Sequence, residues 1–168
     1  EYADEFKCEN HGNYDDVLNS GIDAVYISLP IGLHEKWVIE SAKAGKHVIC
    51  EKSSTTSYKS AKKMTNVCKK QNVRLLEGFA YKFHPQHDKI KELVNIGKIG
   101  QISTFTGFFG FPSPPPNDIR WDKELGGGVL NDAGCYPISA STMIFNDLPI
   151  GVMAKQEINK KKINRYRN

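Results

Sequence analysis

The sequence predicts an α/β chain in two parts: a parallel, helix-covered sheet, followed by a second region built on a different sheet. Three observations carry that reading. Short apolar, β-branched runs alternate with stretches of helical periodicity in the first part. Two of the helical stretches stop at a glycine, Gly45 and Gly97, where a left-handed residue costs least. After Gly100 the alternation gives way to a Thr- and Phe-rich segment of β character. A length of 168 residues is enough for one domain with a core or for two small pieces.

In chain order, Glu1 to Lys7 reads as the end of a helix and Asp15 to Ser20 as a short helix with acidic residues at its positive end. Asp23 to Leu29 is a strand that stops at Pro30. His34 to Ala44 is a helix with Trp37, Val38, Ser41 and Ala42 on one face, and Lys46 to Cys50 is a second strand of buried type. Strand, helix and strand make a βαβ unit, which requires parallel pairing and a right-handed crossover. In such sheets ligands bind beyond the carboxyl ends of the strands. Pro30 to His34 and the pair Glu51-Lys52 both fall there.

Ser57 is a suitable N-cap for a helix from Tyr58 to Gln71 with Ala61, Met64, Thr65 and Cys68 on one face. Val73 to Phe79 is a third strand, and Pro85 opens a helix that runs to about Ile96. Gln101 to Phe111 reads as an antiparallel strand, and Ser113 to Pro116 as a rigid proline-rich loop. Val129 to Phe145 is helical, with Asp132 and Tyr136 four apart on one face. Pro137 fits only if that helix starts late or kinks. Gly151 to Ile158 is a further strand.

The net charge is +4, with the excess in a basic tail from Lys155 to Asn168. That tail lacks the aromatic interleaving of single-strand nucleic-acid binders and reads as a solvated end. No apolar run approaches the roughly 20 residues that span a bilayer. The four cysteines, Cys8, Cys50, Cys68 and Cys135, form no C-x-x-C pair. Cys50 and Cys68 fall on core positions and read as reduced thiols, which points to a cytoplasmic protein. His84 and His87 lack a third ligand, so no metal site is expected.

Ala44-Gly-Lys-His-Val48 followed by Glu51-Lys52 resembles the A-G-K-H-V-x-x-E-K-P signature of the Gfo/Idh/MocA oxidoreductases. Pro30-x-x-x-His34 is similar to that family's P-x-x-x-H turn. The stretch from Gly126 through Asp132 to Tyr136 is similar to its G-G-G-x-L-x-D-x-G-x-[HY] segment, with wording closest to the dihydrodiol dehydrogenase-like branch. The resemblance covers Glu1 to about Ile158. It departs at two points: no G-x-G-x-x-G is present, and Ser53 stands where the family has proline.

The resemblance implies the later part of a Rossmann-type parallel sheet in residues 1–80, with the first βαβ unit missing. It implies part of an α+β domain with an open, mainly antiparallel sheet in residues 81–168. It implies a chain truncated at both ends, from a parent protein that transfers hydride between NAD or NADP and a secondary alcohol of a sugar, cyclitol or diol. The parent would pair with itself through the C-terminal sheet. The alternative is a non-enzymatic relative, or an inactive product.

Removing a hydride from an alcohol also requires a base for its proton and a donor near its oxygen. Lysine can serve where it is partly desolvated or close to another cation. The resemblance implies that Lys52 is the acid/base, with Asp132 and Tyr136 as catalytic helpers; on its own Lys52 would read as a surface lysine. Ser28, Leu29, Pro30, His34, Glu51, Lys52 and Trp121 are expected to border the cofactor. Lys82, Arg120, Asp132 and Tyr136 are expected to meet substrate.

Overall fold

The computed structural model describes residues 2–9 and 11–156. Two short helices, α1 (Tyr2–Phe6) and α2 (Tyr14–Asn19), lead into the alternating part. There β1 (Ala24–Ile27), α3 (Ile31–Lys43), β2 (His47–Glu51), α4 (Tyr58–Lys70) and β3 (Leu75–Gly78) follow one another. The strands form a parallel sheet in the order β1-β2-β3, with Val25 beside Val48 and Cys50 beside Glu77. The sequence therefore folds as the expected parallel α/β unit.

Local chemistry accounts for the ends of the elements. Helix α3 starts at Ile31, three residues before the periodicity suggests. Pro30 already holds φ at −56°, and its carbonyl accepts from Leu33 N–H at 2.9 Å. Gly45, at φ 75°, ends the helix. Ser57 caps α4 as expected, its hydroxyl accepting from Ser60 N–H at 3.2 Å. Pro85 occupies the first turn of α5 (Pro85–Asn95).

Helices α3 and α4 both lie on one face of the sheet and enclose the core there: Ile27, Val38, Ile39, Ala42, Val48, Cys50, Met64 and Cys68. Ile27, Val38, Ile39, Val48 and Met64 each contribute about 1.5–3 kcal/mol by leaving water. The buried side of α4 is Ser60, Met64 and Cys68, and Thr65 faces solvent. The expected face is thus rotated, because Val67 rather than Thr65 packs toward the core. Burial, reinforced by the nearby Glu77 and Glu51 charges, pushes the Cys50 thiol up to about 12, and burial raises Cys68 as well. Both are free, buried thiols. The strands are buried on one face only: Tyr26, Ile49 and Leu76 on the opposite face are exposed.

Beyond β3 the chain makes a 3-10 turn (Ala80–Phe83), α5, a second 3-10 turn (Ile119–Trp121), a π-helical turn (Leu130–Gly134) and α6 (Cys135–Phe145). The antiparallel strand expected at Gln101 to Phe111 does not form. A strand needs a neighbour for its ladder hydrogen bonds, and no described segment pairs with this one. Residues 151–156 likewise form no strand; the rest of the strand expected up to Ile158, and the basic tail from residue 157 on, lie outside the described residues. Pro137 is accommodated because α6 starts late: the π turn precedes it, and Pro137 sits in the first turn, where no intrahelical N–H partner is needed. No described helix is long and apolar enough to cross a membrane.

Candidate active site

The site forms where the carboxyl edge of the sheet meets the loop and turn that precede α6. A backbone contact seals that junction. The Gly32 N–H, in the first turn of α3, donates to the Leu125 carbonyl at 2.9 Å. The approach is close: a Cβ on Gly32 would lie 2.3 Å from the Glu124 oxygen, and one on Gly126 would lie 2.9 Å from the Gly32 nitrogen. Gly126 also holds φ +81°, a conformation other residues seldom take. The glycine-rich segment thus lets two backbones touch and aims the following π turn at the end of β2.

Lys52 is the first residue after β2. Its ammonium donates to the Asp132 carbonyl at 2.8 Å and to Asp132 Oδ1 at 3.0 Å, and it lies 5.0 Å from the centre of the Tyr136 ring. The Lys52 and Asp132 side chains are 17% and 20% exposed, so water only partly screens the pair. Asp132 lies in the π turn and Tyr136 in α6, and both reach Lys52 across that junction.

Arg120 completes the cluster. Its Nε donates to Asp132 Oδ2 at 2.6 Å, and its Nη1 donates to both Asp118 oxygens at 3.1 and 3.0 Å. Burial works against the Asp132 charge, but the hydrogen bonds from Arg120 and Lys52 outweigh it and hold this carboxyl below the usual range. The two hydrogen-bonded carboxylates raise the Arg120 pKa further, so it stays a cation. Two cations and two carboxylates thus balance in one chain of contacts, and Asp132 accepts from both cations at once.

Tyr136 is set in an aromatic wall. Phe109 lies 4.8 Å from its ring centre, and Phe79 and Tyr81 each lie 5.8 Å away. The Tyr81 hydroxyl donates to Ser139 Oγ at 2.9 Å, which ties the turn after β3 to α6. The Tyr136 hydroxyl makes no hydrogen bond among the described residues.

The other expected residues are distributed around this centre. Lys82 is exposed, with its ammonium 5.1 Å above the Phe79 ring. Trp121 donates its indole N–H to the Pro115 carbonyl at 2.8 Å, which fastens the proline-rich loop beside Arg120. Glu51 accepts from the Tyr26 hydroxyl and from Lys52 N–H. Ser28, Leu29 and Pro30 follow β1 at the same edge as Glu51, since Ile27 pairs with Cys50. His34 is fully buried, with Nε2 2.6 Å from the Leu29 carbonyl and Nδ1 3.1 Å from the Ser53 carbonyl. It bridges the ends of two strands from beneath.

Three participants escaped the sequence reading. Asp118 was legible in part, since an Asp before a turn commonly accepts from the N–H two residues on, as Asp118 does from Arg120 at 2.9 Å. Phe79 and Phe109 carried no local signal, because their contact with Tyr136 is set by tertiary packing.

Two family models match the chain: "Oxidoreductase family, NAD-binding Rossmann fold" over residues 1–79, and "GFO/IDH/MocA C-terminal domain" over residues 87–165. The dTDP-3,4-didehydro-2,6-dideoxy-alpha-D-glucose 3-reductase of Saccharopolyspora spinosa is 38% identical over 141 residues, covering 83% of this chain and 42% of that protein. Trans-1,2-dihydrobenzene-1,2-diol dehydrogenase of Xenopus laevis is 32% identical, over 86% of this chain and 44% of that protein. The crystal structure of a 3-ketoreductase from Actinomadura kijaniata with NADP and TDP-benzene superposes with a TM-score of 0.81 at 36% identity, over 86% of this chain and 45% of that one. The chain therefore spans less than half the length of these relatives. With both family models matched in order on the fold just described, the chain belongs to the Gfo/Idh/MocA family of oxidoreductases.

Proposed function

We propose that the protein transfers hydride between NAD or NADP and a secondary alcohol, or the matching ketone, of a sugar, cyclitol or diol. The observation that carries this reading is the convergence of Lys52, Asp132 and Tyr136 at the carboxyl edge of a parallel sheet. The reductases and dehydrogenases among its relatives support it, as does the NADP bound to the similar 3-ketoreductase.

The donor set fits the nicotinamide end of such a cofactor. Ser28, Leu29, Pro30, Glu51 and Lys52 would border one edge of it, His34 holds that edge from below, and Trp121, beside Arg120, would pack on the nicotinamide. The cofactor, when bound, supplies or accepts the hydride. The chain's own residues handle the proton. In the reducing direction Lys52 gives a proton to the substrate oxygen as negative charge develops there, a role worth about 10²–10⁴-fold in rate. Asp132, kept ionised by Arg120 and Lys52, holds the ammonium in place and can accept from a neighbouring substrate hydroxyl. Tyr136 offers the substrate a hydroxyl that no described group uses. Lys82 and Arg120 would meet further hydroxyls of the substrate.

The test is Lys52→Met in a form of the protein with a complete dinucleotide-binding domain, followed by NAD(P)H absorbance with a panel of keto-sugars and diols. Turnover should fall by about 10²–10⁴-fold. Turnover that survives the substitution would remove Lys52 from the mechanism. Absence of turnover in the unsubstituted protein across the panel would favour a non-enzymatic binding role.

A further inference from the structure

We propose that Ser53 is a positioning residue for the Lys52 ammonium. Its hydroxyl fastens the loop after β2 to the main chain beside Asp132. This deepens the reading of Lys52 as the acid/base group, and it is tested below without reference to turnover.

A lysine side chain has four rotatable bonds, so its ammonium stays on target only if the backbone at its root is held. In the motif that this chain otherwise follows, proline occupies position 53 and restrains that backbone through its ring. Serine has no ring, yet the Ser53-Ser54 segment is held at three points, two of them on Ser53. Its Oγ donates to the Asn131 carbonyl at 2.8 Å. Its own carbonyl lies 3.1 Å from His34 Nδ1. The next residue, Ser54, donates its N–H to Glu77 Oε1 at 2.8 Å.

The first of these contacts matters most, because of what it runs beside. Lys52 reaches Asp132, and Ser53 reaches Asn131. Two consecutive residues of one loop thus grip two consecutive residues of one turn. A single link would let the loop swivel about it; two adjacent links fix both distance and orientation. Asn131 is anchored in turn, its side-chain N–H donating to the Gly126 carbonyl at 2.9 Å, and Gly126 is the glycine packed against α3. The hydroxyl therefore connects the acid/base loop to the rigid part of the junction.

The experiment is competitive labelling of amines by trace acetic anhydride on the intact chain, read by mass spectrometry. The exposed Lys98 serves as internal standard. The decisive variants are Ser53→Thr and Ser53→Val, which match in shape and differ only in the hydroxyl. Ser53→Val should raise the Lys52-to-Lys98 labelling ratio about fivefold, the population shift that one typical net hydrogen bond corresponds to. Ser53→Thr should leave the ratio at the unsubstituted value. Protection of Cys50 from alkylation, which holds only while the core is closed, monitors the fold in each variant. Equal ratios in the two variants, whether both raised or both unchanged, would overturn the proposal. Because labelling needs no substrate, a failure of the hydride-transfer reading in the Lys52→Met assay leaves this result standing, and the reverse also holds.

Discussion

In the first region Val38, Ala42 and Cys50 are 0% exposed, whereas in the second Phe108 is 93% and Met153 99% exposed. Both regions are rich in apolar residues, so composition does not separate them. The presence of a paired strand among the described residues does. In the βαβ part each strand finds its neighbour after one crossover helix, and closing such a loop costs little chain entropy. The crossover helix itself then covers the new sheet. Gln101 to Phe111 has equally β-prone residues, but no described strand lies beside it, and an extended segment without a ladder buries little. Apolar residues make a core only where the topology delivers a second surface.

Three substitutions test that contrast, from the largest expected effect to the smallest. Met64→Ala removes a side chain 1% exposed at the centre of the α3–α4 layer and should lower unfolding free energy by about 2–5 kcal/mol in urea titration. A loss under about 1 kcal/mol would mean that the first region is not the stable unit described.

The second test concerns the junction between the regions. Asp132→Asn removes the carboxylate shared by Lys52 and Arg120 and should cost about 1 kcal/mol at neutral pH, since the pair is only partly buried. The native carboxyl is held below its ordinary value, so its contribution is complete above about pH 4 and drains away as pH falls through the lowered native value. The gap between the unsubstituted protein and the Asn variant should therefore narrow on acidification, as urea midpoints at pH 7 and pH 3 would show. A gap that stays constant would mean that the ion pairs add nothing at the junction.

The smallest effect belongs to the second region. Phe108→Ala should change stability by no more than about 0.5 kcal/mol. A larger loss would show that this phenylalanine is packed in solution and would erase the distinction between the two regions.

Much of the helical framework was legible because its determinants are local. Ser57 caps α4 and Pro85 opens α5 through contacts within a few residues, and Gly45 ends α3 by its own backbone freedom. The expectation for Thr65 failed because a helix pattern defines a face to within about one residue, and only packing against α3 chose which flank turned inward. In the site, Lys52, Asp132 and Tyr136 were legible from their motifs, but the motifs are silent on contact. Lys52 and Asp132 stand 80 positions apart, and their hydrogen bond exists because Gly32 and Gly126 let two backbones meet.

The sequence alone thus determined the parallel βαβ unit, the Ser57 cap of α4 and the glycine stop of α3, and it nominated Lys52, Asp132 and Tyr136 as candidates. All of these rest on short-range periodicity, caps and motif spacing. The tertiary structure alone decided that Arg120 and Lys52 share one carboxylate, that His34 is buried between two strand ends, and that the Ser53 hydroxyl meets the Asn131 carbonyl. Each of those outcomes depends on distances between residues remote in the chain, which side-chain chemistry constrains only after the backbone has brought them together.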